Sequence, residues 1–209
     1  MKPNNILKVG LTGGIGCGKS TISKIFKEKN IPVIDADEIS RQVLITHPEL
    51  LFQIRNSFGD EYFNEHGELI RRKIGDLIFS NKSKKVQYES IIMPYIFEDI
   101  FSEIDKYNNT GECICIVDAP TLIENKLHNH MDKVIVVIAK DEIQIERVMK
   151  RDNFSKEETL LRINSQMSTK EKCKFADFII DNSGDLQETQ VEVMKIISKL
   201  KSVRGKNDL

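Results

Sequence analysis

Eight residues near the start of the chain, Gly13-Gly14-Ile15-Gly16-Cys17-Gly18-Lys19-Ser20, follow the pattern G-x-x-x-x-G-K-[ST]. Each position has a physical reason. Glycines let a backbone wrap an anion without side chains in the way. Successive N–H groups then converge as a nest. The helix predicted to begin at Lys19 adds its N-terminal amides and dipole. The Lys19 ammonium can reach the outer phosphates of a nucleotide, and the Ser20 hydroxyl can hold Mg²⁺. The context test is a strand before the loop and a helix after it. Ile6 to Leu11 reads as a buried strand, and Ile22, Ile25 and Phe26 sit at helical spacing within 19–29. Both conditions hold, so the loop predicts nucleotide binding without saying what is done with the nucleotide.

Other residues suggest chemistry less specifically. Asp35 and Asp37 end a short strand, Ile31 to Ile34, one strand along from the loop. Ligands of open parallel sheets sit at such strand ends. Asp37 can take the proton of an acceptor hydroxyl or help hold Mg²⁺ through water. It can equally be an N-cap for the helix starting near Glu38. Arg147 and Arg151 are four apart and share a helix face. They read as charge stabilisers at the entrance of a mobile lid, or as a solvated face. Arg72 follows a glycine turn and can grip a phosphorylated ligand bidentately, or simply face water. His47, His66, His128 and His130 form no ligand set with a third residue and read as surface residues. The nearest guanine-type motif, Asn81-Lys82-Ser83-Lys84, lacks the final Asp, which argues against GTP.

The four cysteines contain no C-x-x-C pair. Cys113, Cys115 and Cys173 read as reduced buried thiols. Cys17 allows two readings. At a helix N-terminus inside an anion-binding loop its pKa should fall, making it oxidation-sensitive when the loop is empty. Alternatively it is an inert small residue.

The elements that position these groups follow the hydrophobic pattern. The βαβ unit of 6–37 implies a parallel sheet with a right-handed crossover. From Glu38 to Tyr107 the pattern is helical, broken at His47-Pro48, Phe58-Gly59, His66-Gly67 and Met93-Pro94. Some 70 residues far exceed an ordinary crossover and read as an inserted substrate cap. Strands return at Cys113 to Val117, at Lys133 to Ala139 and at Phe178 to Ile180. Helices are expected at 141–151 and 186–200, a charged helix-prone stretch at 152–166, and a frayed tail from Lys201. The chain has 209 residues, 40% hydrophobic and 30% charged, with 31 basic against 32 acidic side chains. That balance excludes a disordered chain and, at a net charge of −1, a strongly basic nucleic-acid binder. No run of about 18 apolar residues suggests a membrane span, and no signal-peptide core is visible. A cytoplasmic protein is expected, with a monomer favoured.

The run from Gly10 to Thr21 closely resembles the start of dephospho-CoA kinases, and further segments follow in order. These are Val33 to Asp37 with Arg41, Phe58-Gly59, Gly67 to Arg72, Ile78-Phe79 and Asp118-Ala119-Pro120-Thr121-Leu122-Ile123-Glu124. Gln144 with Arg147 and Arg151, Arg162 with Gln166, Ala176-Asp177, and Asn182 with Gly184 complete the set. The resemblance implies an α/β P-loop fold with a five-stranded parallel sheet, similar to nucleoside monophosphate kinases. It implies a core of about 1–37, 110–150 and 175–209, a helical CoA-binding insertion of about 38–109, and a lid of about 151–170. It implies transfer of the γ-phosphoryl group of ATP, with Mg²⁺, to the ribose 3′-hydroxyl of dephospho-CoA. Asp37 then becomes the general base, with Lys19, Arg147 and Arg151 as charge stabilisers and Asp37, Arg41 and Arg72 on the acceptor. Gly13, Gly14, Ile15, Gly16, Cys17, Gly18, Lys19, Ser20 and Thr21 hold ATP, with Asn182 and Gly184 near its adenine. The chain departs from the family at Cys17, usually Ser, at Met93-Pro94, usually His-Pro, and at Thr121-Leu122, usually two leucines. The remaining alternatives are another small-molecule or nucleoside monophosphate kinase, and an ATP-dependent switch protein.

Overall fold

The structure is a computed structural model and describes residues 6–207. The expected core boundaries at 1–5 and 208–209 lie outside the described residues. Five strands form one parallel sheet: β1 (Leu7–Gly13), β2 (Val33–Asp35), β3 (Ile114–Asp118), β4 (Lys133–Ile138) and β5 (Phe178–Asp181), in the order β2-β3-β1-β4-β5. This confirms the α/β class and the strand count. β3 is buried along its whole length and β4 at its four central residues, as apolar runs covered on both faces must be. β1 lies at the centre, where the chain's path turns from one half of the sheet to the other. The crevice at its C-terminal end is therefore the switch point of the fold, and the glycine loop leaves from there. Leu11 of β1 and Asp35 of β2 both lie in register with Asp118 of β3, which sets one carboxylate on the strand beside β1 and a second one strand further out.

Helices α1 (Lys19–Glu28), α6 (Asp141–Asp152), α7 (Lys156–Asn164), α8 (Thr169–Lys172) and α9 (Leu186–Asn207) follow the pattern between and after the strands. Ile22, Ile25 and Phe26 of α1 and Val193, Ile196, Ile197 and Leu200 of α9 are buried in one apolar cluster with β1, β3, β4 and β5. α1 ends at Glu28, and two residues on Asn30, with a φ of 56°, makes the left-handed turn that Asn tolerates. α9 continues to Asn207, beyond the Leu200 at which the sequence pattern ends it. Its apolar stripe is buried through Leu200.

The chain divides into two compact units. One comprises the segments up to Asp35 and from Glu103 onward, and the other is Ala36–Ser102. The second unit is built from α2 (Ala36–Thr46), α3 (Glu49–Phe58), α4 (Arg71–Ser80) and most of α5 (Lys82–Asn109). Glycines at positive φ mark the expected breaks after Phe58 and His66. The break expected at Met93-Pro94 is absent: α5 runs straight through Pro94. A helical proline forfeits one hydrogen bond and costs about 3 kcal/mol. Ile92, Ile96 and Ile100, one turn apart and buried, supply packing that outweighs it. The helix α2 starts at Ala36, so Asp37 lies inside its first turn rather than at its cap. His47 is also not a plain surface residue. It packs edge-on against Tyr95 at 4.9 Å and pairs with Asp99 at 2.8 Å, which raises its pKa above the ordinary value. His128 packs against Phe175 at 4.8 Å and is half-buried, another departure from the surface reading.

Candidate active site

The glycine loop from Gly13 to Gly18 connects β1 to α1, and its shape is set by where its carbonyls go. A carbonyl pointing into the cradle would repel an anion, so the cradle forms only if the carbonyls are held outside it. The Gln144 carboxamide, buried on α6, donates to the Ile15 carbonyl. The Cys17 carbonyl accepts from Asn182 Nδ2 at 2.9 Å and from Arg147 at 3.5 Å. The Gly14 carbonyl accepts the Cys17 N–H at 3.1 Å. On the donor side, the Ile15 N–H is taken by Gln166 at 2.9 Å. Among the described residues the amides of Gly16, Gly18 and Ser20 have no protein acceptor. The loop therefore keeps amides available while its Gly14, Ile15 and Cys17 carbonyls are engaged, the latter two by side chains of α6 and of the segment after β5.

Gly16 and Gly18 are required as glycines. Their φ values are +80° and +86°, and a Cβ on Gly18 would stand 2.0 Å from the Asn182 carboxamide nitrogen. Lys19 opens α1 and its ammonium contacts the buried Asp118 carboxylate at the end of β3, which Ser23 also engages. Ser20 and Thr21 lie in the same first turn, with the Ser20 side exposed. Asp118 was not among the predicted site residues. An acid closing an apolar strand was a readable signal, but its adjacency to β1 depends on sheet order.

Cys17 overturns one expectation. Its thiol is 2% exposed and belongs to the core cluster, beneath Gly13. Burial raises its pKa, outweighing the lowering by the Lys19 backbone amide and ammonium. The inert reading stands. Cys113 is exposed and Cys173 half-buried, so only Cys115 fits the buried-thiol expectation fully; its pKa is pushed up to about 12. A raised pKa shrinks the nucleophilic thiolate fraction at neutral pH. Iodoacetamide at pH 7 is therefore expected to label Cys113 first, and Cys17 and Cys115 only on unfolding, as read by peptide mass mapping. Labelling of Cys17 at the rate of Cys113 would contradict this burial.

The remaining candidates are placed as follows. Asn182 is buried, and its carboxamide donates to the Cys17 carbonyl and accepts from Thr189 at 3.0 Å. It ties the loop to the segment after β5. Gly184, two residues on, is exposed in the turn before α9. Arg147 also donates to the Asn182 carbonyl at 3.0 Å, so its guanidinium bridges the loop and the segment after β5. Arg151 makes a two-pronged contact with Asp152 at 2.8 Å on the exposed side of α6. After Asn153, in the left-handed conformation, a capping box at Ser155 and Glu158 starts α7, and a second at Ser168 and Glu171 starts α8. In the helical unit, Asp37 and Arg72 are exposed, and Arg41 pairs with Glu38 one turn away.

Comparison with known proteins agrees with this arrangement. The sequence pattern of the dephospho-CoA kinase family matches residues 7–188. A dephospho-CoA kinase of Clostridium tetani is 47% identical over 191 residues, 91% of this chain and 84% of that protein. One of Clostridium perfringens is 46% identical over 188 residues, 90% of this chain and 94% of the other. The solved dephospho-CoA kinase of Campylobacter jejuni, 29% identical, superposes with a TM-score of 0.68 over 92% of this chain and 96% of its own. A glycine loop of the phosphate-binding pattern, on a switch-point strand, thus occurs within a sequence match covering most of the chain: the protein belongs to the dephospho-CoA kinase family, the ATP-dependent kinases that complete CoA biosynthesis.

Proposed function

We propose that this chain transfers the γ-phosphoryl group of MgATP in line to the ribose 3′-hydroxyl of dephospho-CoA, with each part of the fold in a defined role. The observation that carries this reading is the loop itself. Its amides at Gly16, Gly18 and Ser20 are uncommitted while its carbonyls are tied away, and Lys19 stands at its exit. Such donors bind β- and γ-phosphates and stabilise the charge that develops on the transferring group. Arriving phosphates compete with Asp118 for the Lys19 ammonium, so the carboxylate stores the lysine in place. Asp37 accepts the hydroxyl proton. Arg41 and Arg72 of the helical unit bind the acceptor, whose phosphates suit guanidinium forks. Arg147 acts through the loop it holds. Arg151 brings charge from the lid: its exposed pairing with Asp152 is weak enough to exchange for a phosphate. Asn182 and Gly184 shape the side of the site that takes the adenine.

The donor set fits Mg²⁺. Ser20 is exposed in the first turn of α1, and Asp118 and Asp35, in register with each other at the ends of β3 and β2, are carboxylates able to hold the ion's waters. Bound there, the ion would neutralise phosphate charge. Among the described residues, no helix is long and apolar enough to cross a membrane. The proposal includes a cytoplasmic monomer acting on a small molecule. The test is ADP release with MgATP and dephospho-CoA, AMP or no acceptor. Stimulation by dephospho-CoA alone, with CoA as product, is expected. Stimulation by AMP alone would assign the chain to a different acceptor.

A further inference from the structure

Lys172, at the end of α8, has no exposed surface. A fully buried ammonium is costly unless its donors are all matched. Here they are. Nζ meets both carboxylate oxygens of Glu124 at 2.8 and 2.9 Å and the Pro120 carbonyl at 2.8 Å. The same Pro120 carbonyl accepts the hydroxyl of Thr12, buried in β1 just before the glycine loop, at 3.0 Å. Pro120 is two residues beyond Asp118, the partner of Lys19. One carbonyl thus joins three segments: the root of the phosphate loop, the chain leaving β3, and the limb returning from α7. That limb also reaches the loop's apex, six residues earlier, through Gln166 and the Ile15 N–H.

We propose that Lys172 is a positioning residue for phosphoryl transfer. Acting through Pro120 and Glu124, it fixes the chain after β3 against the phosphate loop and so sets Asp118 and Lys19 relative to the cradle. This deepens the kinase reading and rests on it. A purely stabilising ion pair and a positioning pair differ in one respect. When both charges are removed together, the stability penalty of an orphaned buried charge disappears. The clamp on Pro120 is lost all the same.

The experiment compares wild type, Lys172→Met and the double variant Lys172→Met/Glu124→Leu. Melting temperature, ADP affinity and kcat with MgATP and dephospho-CoA are read at a temperature where circular dichroism shows each protein folded. Lys172→Met is expected to melt lower and turn over more slowly. The double variant is expected to regain the melting temperature. Its kcat should stay about 10- to 100-fold below wild type, the scale of a small misplacement of reacting groups. Its ADP affinity should change by less than about threefold, because the loop's own ties at Gln144 and Asn182 remain. A folded double variant with wild-type kcat would overturn the proposal, and so would a loss of ADP affinity matching the loss of kcat. A wild-type enzyme without turnover on dephospho-CoA would overturn the assignment of the reaction, and this proposal with it.

Discussion

Replacing Asp37 by Asn is expected to lower kcat by about 10²- to 10⁴-fold, the range supplied by a positioned general base. ADP affinity should stay near that of the wild type. Asn keeps the size of the side chain and most of its hydrogen-bonding shape, but at neutral pH it cannot take a proton. Asp37 lies in the first turn of α2, two residues beyond the end of β2. That strand end is level with Asp118 and with Leu11, near the exit of β1. The competing account makes Asp37 an acidic residue complementing a helix N-terminus. It then contributes only about 0.3–1 kcal/mol of stability and nothing to turnover. Steady-state kinetics and a melting curve on one protein separate the two. A large drop in kcat with little change in melting temperature supports the base. A modest drop in melting temperature with kcat within threefold of wild type would leave Asp37 as a helix-end acid, and the search for the base would turn to Asp35.

The parts of this site that could be read in the sequence are those governed by local rules. The loop was legible because glycine spacing, a lysine and a hydroxyl sit within eight residues between a strand and a helix. β4 was legible because a strand covered on both faces is an apolar run. The direction of the Cys17 side chain was not. The dipole argument concerns a thiol facing the cradle, whereas the loop turns this one under Gly13 into the core. Nor could the ties that shape the loop be read. Gln144, Gln166 and Asn182 are 129, 151 and 165 residues from the groups they bind, and a carboxamide carries no periodic or charge signature. The same holds for Lys172, which looks like one of several charges in Lys170 to Lys174 and is the one buried. Pro94 misled in the opposite direction: a strong local helix breaker is overridden by the isoleucine stripe around it.

Lys19→Met is expected to reduce turnover by about 10²- to 10³-fold, the usual scale for removing a preorganised group from developing transition-state charge. The variant should also lose stability. Asp118 is buried, and without the ammonium its carboxylate loses its counter-charge and keeps the neutral Ser23 hydroxyl as a hydrogen-bond donor. Breaking a buried ion pair from one side costs about 3–5 kcal/mol. A loss of activity alone could then reflect unfolding, so Lys19→Arg is the informative companion. A guanidinium can still pair with Asp118, and it holds the end of β3 to α1. It is planar and longer, however, and cannot place a compact charge between the loop amides and the outer phosphates. The expected result is an arginine variant with nearly wild-type melting temperature and turnover still at least about tenfold down. If arginine restored both, charge at α1's first turn would suffice and the compact ammonium would have no special role. If arginine restored neither, the contact with Asp118 would be specific to lysine, and the stability of this corner would rest on the geometry of that one ion pair.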